Sequence, residues 1–206
     1  MKKIISLFKR DYEGTRLVYD EIVPGAEWVL AGEGKATRKW DGTPCLWKDG
    51  KLWKRFDRKQ GRPAPDGWIP CEDAPDPNTG HWPGWVPVGD GSDDCWFNAA
   101  LGRRRVLFGN DLGLEEGQSY ELLGPKIQGN PEHTPEYILV PHGAFILDAV
   151  PRDFTGIKNY LSDGMIEGIV WHHPDGRMVK IKGKDFGFKR TTEAERLAKR
   201  SEGAEK

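Results

Sequence analysis

Two strand-like runs, RKWDGTPCLW and KLWKRF, meet around Lys48-Asp49-Gly50, and a second pair, IEGIVWHH and RMVKIKG, meets around Pro174-Asp175-Gly176. Asp-Gly between such runs is a strong hairpin signal, because the tight turn needs backbone conformations that Asp and Gly tolerate. A chain with two such hairpins must carry antiparallel sheet. SYELLG, YILV and AFILDAV are further strand-like runs. Helical signals are fewer. Ser92 followed by DDCWFNAAL reads as a capped helix, TGIKNYL (155–161) as a short one, and the charged tail from Thr191 as a helix frayed at its end. The expectation is an α+β fold of antiparallel sheets flanked by helices. Residues 61–91 are rich in Pro, Gly and Asp. They read as a long surface insertion within one domain spanning 1–190, followed by a charged tail over 191–206, because the motifs on the two sides of the insertion belong together.

With 37% hydrophobic residues among 206, the chain can build a core. No run approaches the roughly 18 apolar residues of a membrane span, and MKKIISLFKR lacks the apolar length and cleavage site of a signal peptide. No membrane partner is expected. Cys45, Cys71 and Cys95 are widely spaced and odd in number, with no CxxC pair, which predicts reduced thiols in an intracellular, cytoplasmic protein, expected as a monomer. The 31 basic residues against 32 acidic exclude a chain that coats nucleic acid by bulk charge. Any such binding is local. Arg103-Arg104-Arg105 reads equally as a phosphate-backbone contact and as a solvated turn.

The chemistry-bearing residues lie near the hairpins. Lys39 sits between two strands in Lys39-Trp40-Asp41-Gly42-Thr43. Taken alone, a lysine with an acid two residues on is an ordinary solvated pair. Lys180 and Lys182 flank Ile181, and residues two apart on a strand share a face, so the two ammoniums repel each other unless an anion joins them. Glu167 opens EGIVW on the preceding strand, so a hairpin brings it near both lysines. One acid with three lysines suits phosphoryl-group chemistry. His172 and His173 resemble a metal pair, but adjacent residues on a strand point to opposite faces, so joint ligation is not expected. His133 and His142 are isolated and uninformative.

The ordered set of motifs resembles the covalent nucleotidyltransferase superfamily of ATP-dependent ligases and capping enzymes. KxDG is matched by Lys39-Trp40-Asp41-Gly42, the EG motif by Glu167-Gly168-Ile169-Val170, and KxK by Val179-Lys180-Ile181-Lys182. With LWKRFDRK, YELLGPKIQGNP and VKIKGKDFGF, the chain looks most like the small RNA ligase group that includes a vertebrate 5′-phosphate/3′-hydroxyl RNA ligase. The resemblance covers roughly residues 28 to 188. It implies an ATP-grasp-like nucleotidyltransferase (ligase catalytic) domain. Only 18 residues follow Phe188, so no C-terminal OB domain is expected.

The resemblance also implies roles. Lys39 matches the nucleophile that forms lysyl-AMP, and Asp41 and Gly42 complete its motif. Arg55 or Arg58 matches an arginine that contacts ribose or phosphate. Glu121 matches the acid that holds the ribose hydroxyls, and Phe145 the aromatic that stacks on adenine, although an aromatic in an apolar run is usually core. Glu167 matches the acid serving metal and nucleophile, and Lys180 and Lys182 the pair on the α-phosphate. ATP and Mg²⁺ (or Mn²⁺) are the implied cofactors, and RNA with 5′-phosphate and 3′-hydroxyl ends the implied partner. A lysine attacks only when neutral; its ordinary pKa is about 10.4, and neighbouring positive charge lowers it. The insertion's tryptophans suit stacking of unpaired bases. The alternatives within this chemistry are a DNA ligase and a GTP-using capping guanylyltransferase. A non-catalytic RNA-end sensor is expected to have lost Lys39 or the KxK pair, and both are present.

Overall fold

The computed structural model describes residues 4–77, 79–102, 113–192 and 194–195. The Arg103–Arg105 cluster, and the tail helix beyond 195, lie outside the described residues. In chain order the strands are β1 (Ile5–Ser6), β2 (Phe8–Arg10), β3 (Val18–Ile22), β4 (Lys35–Lys39), β5 (Thr43–Lys48), β6 (Lys51–Arg58), β7 (Ile69–Pro70), β8 (Trp82–Pro87), β9 (Ser119–Leu123), β10 (Ile138–Pro141), β11 (Gly168–His172) and β12 (Met178–Lys182). The helices are α1 (Glu27–Leu30), α2 (Cys95–Gly102) and α3 (Phe154–Leu161). The mixed α and β content, with largely antiparallel sheets and few helices, agrees with the sequence reading. Among the described residues no helix is long and apolar enough to cross a membrane.

The chain divides into two compact units, Asp41–Ala144 on the one hand and Ile4–Trp40 with the chain from Phe145 onward on the other. The divide falls between Trp40 and Asp41. The KxDG sequence is therefore shared: Lys39 belongs to one unit, Asp41 and Gly42 to the other.

The unit that carries Lys39 is built on a four-stranded sheet in the order β1-β12-β11-β4, with β2 and β3 as a separate hairpin. The β11–β12 and β11–β4 pairs are antiparallel, whereas β1 runs parallel to β12. Alternation sets its faces. Ile169, Trp171, Val179 and Ile181 are buried in a core with Leu7, Phe8 and Val29. Ile157 and Leu161 of α3, four apart and so on one helix face, fill the same core. Asp153 caps α3 by accepting from the Gly156 N–H. The Arg152 guanidinium donates to the Val29, Glu33 and Gly34 carbonyls and so satisfies the end of α1.

The second unit holds a six-stranded sheet in the order β10-β9-β5-β6-β8-β7, antiparallel at every pairing. Cys45, Leu52, Tyr120, Leu122 and Leu139 face α2, which contributes Phe97 and Ala100. Among the described residues none of Cys45, Cys71 and Cys95 forms a disulfide. The stretch 61–91 contributes β8, which pairs with β6 from Trp53↔Pro87 to Arg58↔Trp82 despite its prolines. Gly84 is required there, since a Cβ would lie 2.1 Å from the Trp68 indole nitrogen.

Two local expectations are corrected. AFILDAV forms no strand: Gly143 (φ 83°) and Ala149 (φ 52°) both sit in the left-handed region, leaving only a single bridge from Ile146 to Thr37. Ser92 does not cap α2 with its side chain. It opens a 3-10 turn, Ser92–Asp94, that leads into the helix.

Candidate active site

Register across β4, β11 and β12 lines up the lysines. Lys39, Gly168 and Lys182 lie in one row across the three strands; Thr37, Val170 and Lys180 form the next. Opposed residues of a ladder share a face, so all three lysines project from the side opposite the Ile169–Ile181 core. Gly168 is needed between them, because a Cβ there would meet the Ile181 carbonyl oxygen at 2.1 Å. Glu167, immediately before β11, is held by its own carbonyl, which accepts from the Gly183 N–H.

The Glu167 carboxylate is 7% exposed and bridges two lysines. Its Oε2 lies 2.6 Å from Lys39 Nζ and its Oε1 2.5 Å from Lys182 Nζ. Burial pushes this carboxyl up, but the two ammoniums outweigh burial and hold it below the ordinary carboxylate range. The Lys180 ammonium has no hydrogen-bond or ion-pair partner among the described residues, whereas its backbone carbonyl accepts from the Leu7 N–H. Burial, then Lys182 and Lys39, lower its pKa to about 8, against the pull of Glu167 and Asp185. Asp185 is committed elsewhere, to the Arg10 guanidinium and the Lys182 N–H. Three ammoniums therefore surround one carboxylate, an imbalance that a phosphate or another anion relieves.

The two histidines of β11's end diverge as alternation requires. His172 Nε2 lies 3.1 Å from Thr37 Oγ1, whereas His173 contacts Glu33 and Asp175. Among the described residues no three of His, Cys, Asp and Glu converge as a metal site. Both Glu167 oxygens face ammoniums. Glu167 is the carboxylate of this cluster that would hold a Mg²⁺ arriving with a polyphosphate, an ion that usually keeps several of its waters.

The other unit presents a second constellation. The Gly42 N–H donates to Glu121 Oε1 at 2.9 Å, and the Asp41 N–H to Glu132 Oε1 at 3.1 Å. Gly42 cannot be replaced without movement, since a Cβ would lie 2.2 Å from the Leu122 carbonyl oxygen. Glu121 is 5% exposed, and its Oε2 lies 2.8 Å from His142 Nε2. His142 Nδ1 in turn lies 2.9 Å from Ser119 Oγ. His142, which reads as isolated in the sequence, is therefore bonded to both Glu121 and Ser119. The signal that finds it is the β9–β10 register, with Tyr120 opposite Pro141, which returns residue 142 to Ser119 and Glu121. Tyr120 points the other way, into the core, where its hydroxyl accepts from the Glu115 N–H.

Register separates the two arginines. Cys45 opposes both Lys54 and Tyr120, so the even-numbered residues of β6 share the core face and the odd-numbered ones share the face of Glu121. Arg55 stands on the Glu121 face, over Trp85 at 5.6 Å and bonded to Asp57. Arg58 stands on the opposite face, 5.8 Å from both Trp68 and Trp82. Phe145, in the unit with Lys39, is half-buried and meets Trp40 edge-on at 5.9 Å, while the Arg38 guanidinium lies 4.0 Å over the same Trp40 ring.

Fold and site together define an α+β protein in which one buried carboxylate clamps two lysines and a third lysine is left uncompensated beside them. The sequence comparisons say which family this is. The RNA ligase 1 family model matches residues 110–202. The chain is 33% identical over 219 residues to RNA ligase 1 of Mus musculus, covering 74% of this chain and 67% of the mouse protein. RNA ligase 1 of Rattus norvegicus is 32% identical with the same coverage, and that of Danio rerio 28% identical over 250 residues, 88% of this chain and 76% of the fish protein. The chain belongs to the RNA ligase 1 family.

Proposed function

We propose that this protein is an ATP-dependent RNA ligase that joins a 5′-phosphate to a 3′-hydroxyl through a lysyl-AMP intermediate. The observation that carries the reading is the Lys39–Glu167–Lys182 bridge with Lys180 uncompensated beside it. Such a site holds a nucleophile and gathers positive charge where a phosphate would lie.

In the first step the Lys39 ammonium releases a proton to water, and Glu167 Oε2, 2.6 Å from its Nζ, holds the amine in position. The neutral amine attacks the α-phosphorus of ATP in line, a P–N bond forms, and pyrophosphate leaves. Lys180 and Lys182 stabilise charge on the α-phosphate oxygens. Mg²⁺, held with the triphosphate and by Glu167, would neutralise charge on the departing pyrophosphate. A 5′-phosphate oxygen then attacks the lysine-bound AMP, freeing Lys39 and giving an adenylated RNA end. Finally the 3′-hydroxyl attacks that end, a phosphodiester forms, and AMP departs. Glu121 receives the ribose hydroxyls, Arg55 a ribose or phosphate oxygen, and Phe145 stacks on the adenine. The chain's task is mainly positioning and charge stabilisation.

The test is intact-mass measurement after incubation with Mg²⁺ and either ATP or GTP. One added AMP is expected with ATP, and none of the GMP that a capping enzyme would take. No adduct with either nucleotide overturns the proposal. For the acceptor, single deoxynucleotides are placed beside a break. Loss of at least about tenfold in sealing, equivalent to about 1.4 kcal/mol, is expected at one or two positions next to the 3′-hydroxyl, because the 2′-hydroxyl distinguishes the two sugars. Equal sealing of all-RNA and all-DNA breaks overturns the RNA assignment alone.

A further inference from the structure

We infer that His142 is a positioning residue: it orients Glu121 for a ribose diol and thereby makes the protein select a ribonucleotide over a 2′-deoxynucleotide as AMP donor. This rests on the reading that Glu121 receives the ribose hydroxyls.

The two oxygens of Glu121 each take one donor, Oε1 from the Gly42 N–H at 2.9 Å and Oε2 from His142 Nε2 at 2.8 Å. An ionised carboxylate only accepts, so Nε2 must carry the hydrogen. In the neutral imidazole Nδ1 is then the acceptor, and the Ser119 hydroxyl, 2.9 Å away, is placed to donate to it. Ser119 thus fixes the tautomer of His142, and His142 fixes the carboxylate. The backbone braces the arrangement: the His142 N–H donates to the Ser119 carbonyl at 3.0 Å, and the Gln118 amide donates to the same carbonyl at 2.7 Å.

Each carboxylate oxygen has two acceptor sites. One on each is used, and one on each remains, which is what two adjacent hydroxyls require. A 2′-deoxyribose offers only one donor and leaves a buried acceptor unmet, the kind of mismatch that sites built for a hydroxyl reject strongly. Without His142, the buried carboxylate keeps one protein donor, turns about its last bond, and no longer presents both sites together. Side-chain packing alone gives no reason for this chain of three directed bonds to end on the N–H of Gly42.

The experiment compares covalent AMP and dAMP labelling of the full chain, as kcat/KM for ATP and for 2′-deoxy-ATP. His142→Leu should lower the ATP:dATP ratio at least about tenfold, the equivalent of losing one good discriminating contact of about 1.4 kcal/mol. The loss should appear in the KM for ATP more than in the maximal labelling rate. His142→Gln, which can place an amide N–H where Nε2 stands, should restore most of the ratio. Ser119→Ala should shift it the same way by less. A wild-type ratio in a folded His142→Leu variant overturns the inference. Should His142→Leu fail to fold, a wild-type ratio in Ser119→Ala overturns it instead. Glu121→Gln separates the two layers. An unchanged ratio there removes Glu121 from the ribose and the inference with it. A collapsed ratio there beside an unchanged one in the His142 variant removes His142 alone.

Discussion

Lys39 Nζ lies 2.6 Å from Oε2 of Glu167, a residue 128 positions further along the chain. Because Lys182 occupies the other oxygen, this one carboxylate separates ammoniums that otherwise repel. Glu167→Ala should therefore do two things at once. It should cut lysyl-AMP formation at least about 100-fold, the scale expected when a positioned acid or base is removed. It should also lower Tm, because two partly buried charges lose their partner, and added pyrophosphate should recover part of that loss. Near-normal labelling would reduce EGIVW to an ordinary core strand.

Lys39→Ala should abolish the AMP adduct and all sealing that starts from ATP. Pre-adenylated RNA skips the first two steps, so the variant should keep measurable sealing of that substrate, read on a denaturing gel. An acid-labile AMP adduct on the variant would transfer the nucleophile's role to another lysine.

Local periodicity accounts for what could be read from the residues. Two-residue alternation alone places Lys180 and Lys182 on one face, and a hairpin of the right length brings Glu167 beside them; the register then shows the rows. Partners fixed by non-local pairing were hidden. His142 reaches Glu121 only because β10 lies beside β9. Arg55 and Arg58 look interchangeable in KRFDRK until β6 is paired and their opposite parity counts. β8 contains Pro83 and Pro87, so propensity argues against the strand that tertiary pairing creates. AFILDAV shows the converse: its composition favours a strand, and two left-handed residues at its borders prevent one.

The parity of β6 yields a separable pair of variants. Arg55→Ala, on the face of Glu121, should raise the KM for ATP about tenfold, as losing a charge-assisted contact of roughly 1.5 kcal/mol does. Arg58→Ala should leave labelling near wild type and lower Tm slightly, since it removes cation–π contacts to Trp68 and Trp82 of about 0.5–1 kcal/mol. Nucleotide titrations and thermal melts on both variants decide it, and the reverse pattern would move Arg58 into the nucleotide site.

Lys180 offers a test that uses stability and no activity. Its pKa falls from 10.5 to about 8 in the folded protein, through burial first and then repulsion by Lys182 and Lys39. A lysine with a lowered folded pKa destabilises the fold wherever it is charged in both states, that is, below about pH 8. Between pH 8 and 10.5 the folded form has released the proton and the unfolded chain still holds it, so stability attributable to this group rises with pH across that window. Lys180→Met removes the charge and keeps the length. Its Tm should exceed that of the wild type at pH 7, and the gap should close as pH approaches 10. Glu167, with its pKa held low, acts in the opposite range: its contribution is present above pH 4.5 and fades as pH falls further, so it leaves the alkaline comparison undisturbed. Pyrophosphate at neutral pH should narrow the gap as well, because an anion that binds the folded state stabilises it by mass action and the wild type has one more cation to offer it. A Tm difference that stays constant from pH 7 to 10 would mean that the Lys180 ammonium stands in water, away from Lys39 and Lys182.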